Sequence, residues 1–319
     1  MPGSVGLLGG LEHFEPSLPI DRRMLDQVGV FAPEVVILPL ASFKSQAAAA
    51  GALAQAHWTS LGARARVVIP GPGSDLTTLE MVEGADVIVL PGGVPSRLMT
   101  ALSGTPILGA IVARWEAGAA VTGSSAGAID LFERRLNLYL PDPFRLIPGL
   151  GLLQGFVVAP HFDRLRVRRW FSPFLRRMEG LAVLGIDEST GLVGRDGLMQ
   201  VLGTGSVTIA SDQSIEVYPT GSVIDIDLGT IPSSPVPNVP NERDHSRQWR
   251  GRGDIELGSG LVDRLQPIGP VVLPLFDGVG RGELVLGDGD LDPTVVLGLQ
   301  CDLRRSRPDS DTKHFGRWP

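Results

Sequence analysis

Residues 119–130 read AAVTGSSAGAID, and this stretch is the most informative about the fold. The apolar run at 119–122 leads into Gly-Ser-Ser-Ala-Gly at 123–127, and a helical pattern follows over 126–135. The five residues match G-x-S-x-G with Ser125 at the centre, the pattern of a nucleophile on a tight strand-to-helix turn. Small flanking residues let the chain close around the serine, and its hydroxyl is exposed at the carboxyl end of a sheet. The stretch predicts a nucleophile elbow in an α/β fold.

Apolar runs and helical patterns alternate on both sides of this elbow. The runs are continuous, which is typical of strands buried on both faces of a parallel sheet. The helical patterns between them predict βαβ crossovers. We therefore expect an α/β fold with three layers and a doubly wound, mostly parallel sheet. Predicted strands cover 5–8, 34–40, 66–69, 86–90, 119–122, 156–159 and 182–186, predicted helices cover 46–61, 106–115, 126–135 and 167–178, and 203–218 is typical of hairpins.

The pattern changes near residue 222. Ten of the 26 prolines lie beyond residue 230, and no long helical pattern follows. We interpret residues 1–222 as one α/β domain and 223–319 as an irregular, Pro/Gly-rich C-terminal extension, with a small β subdomain as the less favoured alternative.

Composition narrows the class of protein. The formal net charge of −7 disfavours non-specific binding to nucleic acid or an anionic membrane. The single cysteine, Cys301, excludes an internal disulfide and suits a reducing compartment. The N-terminal residues lack the pattern of a secretory signal, and no apolar stretch is long enough to span a bilayer. The sequence predicts a cytoplasmic protein.

A serine nucleophile needs a base at neutral pH, and His161 is the best placed histidine. It follows the apolar run 156–160, so we expect it at the carboxyl edge of the sheet near Ser125. His57 falls inside an Ala-rich helical pattern and is predicted on the surface. His245 and His314 lie in the extension.

Two carboxylates are candidates for orienting that base. Asp187 and Glu188 follow the predicted strand at 182–186 and would point to opposite faces if the strand continued. Only one of them can face His161, and periodicity leaves the choice open.

Several motifs in order resemble one family. They are PGG at 91–93, GSSAGAI at 123–129, GLGLL at 149–153, FVVAPHFD at 156–163 and LGIDEST at 184–190. This set is similar to the serine peptidases that include cyanophycinase and the aspartyl dipeptidase called dipeptidase E. Their fold resembles that of class I glutamine amidotransferases, with serine in place of cysteine at the elbow. The resemblance covers roughly residues 4–222.

The resemblance implies roles for these positions. Ser125 would be the nucleophile, His161 the base and Glu188 the orienting acid. Gly92 or Gly93 would supply an oxyanion amide beside that of Ala126, which starts the helix after the elbow. The activity implied is hydrolysis of a small peptide, aspartyl-containing in the family, without metal or organic cofactor, by a monomer or homodimer.

The sequence departs from the family on the substrate side. Val94-Pro95 follows the double glycine where cyanophycinase-like members carry a polar residue, which puts β-aspartyl specificity in doubt. Arg164, Arg166 and Arg168 follow His161, and one of them could clamp a substrate carboxylate. A solvated helix face is an equally good interpretation of all three.

Other interpretations of the elbow stay open. An α/β-hydrolase esterase shares G-x-S-x-G and would use a late histidine, His245, with Asp225 or Asp227. A non-catalytic binding protein on an amidotransferase-like scaffold is a different class. A glutamine amidotransferase is disfavoured because Cys301, the sole cysteine, lies far from the elbow.

Overall fold

The computed structural model describes residues 1–69, 75–137, 145–164, 178 and 180–229. The predicted helix over 167–178 and nearly all of the extension at 223–319 lie outside these residues. The strands are β1 (Val5–Leu8), β2 (Glu34–Ile37), β3 (Arg64–Val67), β4 (Val87–Leu90), β5 (Ala120–Ser124), β6 (Arg134–Leu136), β7 (Leu146–Pro148), β8 (Phe156–Pro160), β9 (Ala182–Ile186), β10 (Thr190–Arg195), β11 (Leu198–Gly203), β12 (Ser206–Ala210), β13 (Ile215–Pro219) and β14 (Val223–Asp225). The helices are α1 (Leu18–Val28), α2 (Lys44–Ser60), α3 (Asp75–Glu83), α4 (Pro95–Leu102), α5 (Pro106–Glu116) and α6 (Ala126–Asp130).

The main sheet has eight strands in the order β14-β11-β10-β1-β5-β4-β2-β3. The five strands from β1 to β3 in that order are mutually parallel, and β10, β11 and β14 extend the sheet by antiparallel pairing. The predicted three-layer, mostly parallel α/β fold is confirmed. The parallel half matters for function, since it brings the carboxyl ends of the adjacent strands β1, β5 and β4 to one edge.

Two apolar clusters cover the two faces of the main sheet. On one face Ile20 and Met24 of α1 and Trp58 of α2 pack against the sheet. On the other face α3, α4, α5 and α6 join residues of β8, β9 and β12 in a larger cluster. Because both faces are buried, strands such as β1 and β4 are apolar at every position, which is the pattern seen in the sequence.

A second sheet was not expected. Its four strands have the order β13-β12-β9-β8, and β8 pairs in parallel with β9. The predictions that 156–159 and 182–186 are strands are confirmed, but these strands do not extend the main sheet as expected. His161 does lie at the carboxyl edge of the main sheet, because its N–H donates to the carbonyl of Gly9 just after β1. Apolar runs show that a strand is buried and do not show which sheet it joins.

Three smaller expectations also need correction. The helix predicted over 126–135 is only α6, and the chain has turned into β6 by Arg134. His57 is buried and not on the surface. Its Nε2 lies 2.7 Å from Oδ2 of Asp21, which is also buried. Strand β14 pairs with β11, so regular structure continues to Asp225 and covers the first three residues of the extension that was expected to be irregular.

In the described part of the chain no single helix could cross a membrane, and only the bent pair α4–α5 has the length and apolar composition of a span when taken together.

Candidate active site

The elbow is built by close backbone packing. Ser125 lies between β5 and α6 with φ 46° and ψ −106°, a conformation that costs a non-glycine residue of order 1–3 kcal/mol. A Cβ on Gly123 would lie 2.5 Å from the carbonyl carbon of Gly127, and a Cβ on Gly127 would overlap the backbone of Leu90. The two glycines of the motif are therefore required by the contact of α6 with β5 and β4.

Three consecutive carbonyls at the end of β1 hold the site together. The carbonyl of Leu8 accepts the N–H of Ser125 at 3.0 Å, and that of Gly9 accepts the N–H of His161 at 2.8 Å. The carbonyl of Gly10 accepts the N–H of Ser189 at 3.0 Å. One short segment thus fixes the backbone of the elbow, of the turn after β8 and of the turn after β9.

Ser125, His161 and Glu188 form one chain of hydrogen-bonding distances. Nε2 of His161 lies 3.1 Å from Oγ of Ser125, and Nδ1 lies 2.6 Å from Oε1 of Glu188. The imidazole is fully buried, the serine nearly so, and the side chain of Glu188 is 9% exposed. A carboxylate at Nδ1 fixes the tautomer in which Nε2 is free to take a proton from the serine.

The neighbouring carboxylate has a different contact. Oδ2 of Asp187 accepts hydrogen bonds from the N–H and the hydroxyl of Ser206 at 2.9 and 2.8 Å. The structure thus brings Glu188 to His161 and keeps Asp187 at the start of β12, a choice that the sequence pattern left open.

Arg164 lies on the far side of Glu188. Its guanidinium donates to Oε2 of Glu188 at 2.6 Å, while 40% of the Arg164 side chain stays exposed. Both oxygens of Glu188 are therefore engaged, one by His161 and one by Arg164. Arg166 and Arg168, the other two candidates for a substrate carboxylate, lie outside the described residues.

The amides expected to form an oxyanion hole differ in whether their N–H groups already donate a hydrogen bond. The N–H of Gly92 donates to Oε1 of Glu12 at 2.7 Å. Across the described residues, the N–H groups of Gly93 and Ala126 donate no hydrogen bond. A Cβ placed on Gly92 would lie 3.4 Å from Cβ of Ser125, so this turn borders Ser125.

Backbone strain concentrates around the same groups. Within the described part of the chain, seven non-glycine residues have positive φ, and five of these lie on the segments just described. Such conformations persist only where surrounding contacts enforce them, and they cluster at functional sites. The five are Leu11, His13, Ser125, His161 and Ser189.

The polar group missing after the double glycine is replaced by the start of a helix. Pro95 begins α4, and Arg97 in its first turn donates to the carbonyl of Ser42 at 3.0 Å. The Arg97 guanidinium also lies 5.0 Å from the centre of the Phe43 ring. Arg97 is therefore fixed to the loop after β2.

Sequence reasoning missed the segment that follows β1. The double glycine at 9–10 follows the first predicted strand, and Glu12, two residues later, is not among the candidate residues named from the sequence. A double glycine followed by a carboxylate, at the end of a strand next to the elbow strand, was the available signal. A Cβ on Gly10 would overlap the His161 imidazole, which explains why glycine stands there.

A model of peptidase family S51 matches residues 6–202, which include Ser125, His161 and Glu188. The chain belongs to this serine peptidase family. Membership in S51 makes the protein a peptidase, and the match covers the main sheet through β10 and most of β11.

Relatives and a solved structure agree with the S51 assignment. The chain is 30% identical to a cyanophycinase from Synechococcus elongatus over 229 residues, 67% of this chain and 69% of the relative. It is 29% identical to the uncharacterized peptidase YgaJ of Bacillus subtilis over 166 residues, 52% of this chain and 70% of the relative. The crystal structure of a peptidase from an acI-B1 actinobacterium superposes with a TM-score of 0.62 at 24% identity, over 71% of this chain and 98% of that one. That structure supports the fold of this S51 member.

Proposed function

We propose that the protein is a serine-type peptidase that hydrolyses a small, aspartyl-containing peptide through an acyl-enzyme, with Ser125 as nucleophile, His161 as base and Glu188 as orienting acid. The observation that carries the proposal is the continuous chain from Oγ of Ser125 through His161 to Glu188, at 3.1 and 2.6 Å. The alternative of an esterase with His245 as base is less well supported, because His161 already occupies the place beside Ser125.

The first half of the reaction forms the acyl-enzyme. Oγ of Ser125 attacks the scissile carbonyl carbon while its proton passes to Nε2 of His161. The carbonyl oxygen becomes an oxyanion, for which the free N–H groups of Ala126 and Gly93 are the best donors. The imidazolium is stabilised by Glu188 at Nδ1. When the carbon–nitrogen bond breaks, His161 returns the proton to the leaving amine.

The second half restores the enzyme. Water enters the place of the amine, gives a proton to His161 and attacks the acyl carbon. Collapse of this second oxyanion breaks the bond to Ser125 and returns the proton to Oγ. The chain's own residues supply every proton transfer in this cycle.

The substrate class rests on the relatives. Those named cyanophycinase support an aspartyl peptide or isopeptide, whereas Val94-Pro95 gives no side-chain donor after the double glycine. Dipeptides with α-linked aspartate therefore stand beside β-Asp-Arg as candidates. The cytoplasmic location and the monomeric or homodimeric state stay predictions.

The test is a Ser125→Ala variant. We expect kcat to fall on the order of 10⁴-fold for any aspartyl dipeptide or β-Asp-Arg that the wild type cleaves, as in other serine peptidases. His161→Ala should match it, and His245→Ala should keep the wild-type rate. Circular dichroism would verify that each variant is folded.

Labelling by a fluorophosphonate gives a second readout that needs no substrate. The wild type should become modified at Ser125, and Ser125→Ala should not. A folded wild type that is neither labelled nor hydrolytic would support the non-catalytic binding protein instead.

A further inference from the structure

Glu12 joins three parts of the candidate site through one carboxylate. Its Oε1 accepts the N–H of Gly92 at 2.7 Å, and its Oε2 accepts the hydroxyl of Ser124 at 2.7 Å. Gly92 belongs to the turn after β4, and Ser124 is the residue before the nucleophile. Hydrogen bonds to an ionised acceptor are roughly twice as strong as neutral ones. The carboxylate therefore ties the segment after β1 to the turn and to the elbow.

The effect on the turn follows from its three successive amides. The N–H of Gly92 is held by Glu12, and the N–H of Val94 donates to the carbonyl of Ala41 at 2.8 Å. Between them Gly93, with φ 145°, sits so close to Ala41 that a Cβ would overlap its carbonyl. Of the three amides only that of Gly93 makes no hydrogen bond to a described residue, and Gly93 is exposed. Fixing both neighbours fixes the direction of this free amide.

The Glu12 carboxylate is itself held rigidly by its own loop. Leu11 and His13 on either side have φ of 54° and 66°. The ring of His13 lies 5.1 Å from the ring of His57, which is buried and anchored by Asp21 at 2.7 Å. A residue between two strained neighbours, with an anchored ring next to it, has few positions for its carboxylate.

We propose that Glu12 is a positioning residue of the oxyanion hole. It holds the Gly92-Gly93 turn so that the N–H of Gly93, together with that of Ala126, faces the oxygen that becomes charged at the scissile carbonyl. Glu12 acts through its two hydrogen bonds and does not touch the reacting atoms. The inference rests on the proposed acyl-enzyme mechanism, because an oxyanion hole has a function only there.

Three variants of the full chain test this role. Glu12→Ala removes both hydrogen bonds. Glu12→Gln keeps an oxygen for the N–H of Gly92 and offers an N–H to the oxygen of Ser124, but loses the charge. Glu15→Ala removes the same charge from an exposed position three residues on and serves as the matched control.

The measurements are kcat and KM for the best-cleaved aspartyl dipeptide and the rate of fluorophosphonate labelling of Ser125. Loss of one oxyanion donor costs on the order of 10²–10³-fold in kcat in a known case. Because Gly93 would be misplaced and not removed, we expect Glu12→Ala to lower kcat and labelling by about 10- to 100-fold with KM nearly unchanged. Glu12→Gln should recover most of the loss, and Glu15→Ala should equal the wild type.

Other outcomes would overturn the proposal in distinct ways. A rise in KM in both Glu12→Ala and Glu12→Gln, with kcat unchanged, would make Glu12 a charge that binds substrate. Faster labelling of Glu12→Ala than of the wild type would mean that Glu12 hinders access to the oxyanion hole. If Glu12→Ala does not fold, the proposal is tested with the isosteric Glu12→Gln and with Ser124→Ala, which removes only the hydrogen bond from the Ser124 hydroxyl to Glu12. A positioning role requires Ser124→Ala to lower kcat by several-fold at constant KM.

These outcomes are separable from failure of the proposed function. A wild type without labelling or hydrolysis refutes the peptidase mechanism itself. An active wild type whose rates are unchanged in Glu12→Ala refutes only the role of Glu12.

Discussion

At the scale of single residues, the site depends on which of two adjacent carboxylates faces the imidazole. Alternation along a strand could not choose between Asp187 and Glu188, because β9 ends at Ile186 and Ser189 turns with φ 51°. Once the strand has ended, side chains no longer alternate between two faces. The proximity of Ser125 and His161 was predictable from local motifs, whereas the choice of Glu188 needed its contact of 2.6 Å with Nδ1 of His161, or a family resemblance.

We expect Glu188→Gln to be far more damaging than Asp187→Asn. Glutamine can no longer stabilise the imidazolium and can present its amide to Nδ1, which favours the wrong tautomer, so kcat should fall on the order of 10³–10⁴-fold. Asparagine at 187 keeps an oxygen for Ser206, and kcat should stay within about threefold because Asp187 does not contact His161. Steady-state kinetics on both variants checks this, and the reverse ranking would reassign the acid.

At the scale of elements, most strands of the parallel half could be predicted because they are short apolar runs between helical patterns. The observed bounds differ from the predicted ones by a few residues. For example, β3 begins at Arg64, whereas the predicted strand began at Arg66. The second sheet could not be predicted, since pairing of β8 with β9 and of β9 with β12 is set by long-range contacts. The short helix α6 was overestimated because an apolar stretch suits a buried turn as well as a helix.

The segment after β1 gives an element-scale prediction. Gly10→Ala places a methyl group against the His161 imidazole at a position with φ 122°. Displacing the imidazole by about 1 Å should lower kcat/KM by about 100-fold. Gly62→Ala is the matched control, since its φ of 94° brings similar strain but its Cβ meets nothing within 4 Å.

Both glycine variants should lose stability by about 1–3 kcal/mol in urea unfolding, and only Gly10→Ala should lose activity. Equal activity of the two variants would mean that the segment after β1 does not position the base.

At the scale of the whole molecule, the histidine next to Glu12 couples folding to pH. Burial lowers the pKa of His13 below its ordinary value of 6.5, and His57 adds to this, although Glu12 and Asp21 oppose it. The unfolded chain therefore binds a proton more readily than the folded chain. Since stability rises with pH wherever the unfolded state holds more protons, His13 costs stability as the pH falls through about 6.5 and below.

We expect the free energy of unfolding to decrease between pH 7.5 and 5.5, and to decrease less in His13→Gln. Urea unfolding of both proteins at several pH values measures the difference. At pH 8 His13 is neutral in both states, so the difference in unfolding free energy between the two proteins there reports only the change in packing. This difference is subtracted from the values at lower pH. Parallel curves for the two proteins would contradict the coupling.

Ser125 and His161 follow strands of different sheets, since Ser125 comes directly after β5 of the main sheet and His161 directly after β8 of the four-stranded sheet. The hydrogen bond between them therefore spans the seam where the smaller sheet docks on the larger. The turnover rate therefore depends on how the two sheets pack against each other. A shift of one sheet by about 1 Å would separate Ser125 from His161 and abolish activity, although each sheet would stay folded. We therefore expect substitutions between the two sheets to abolish activity in a protein that is still folded.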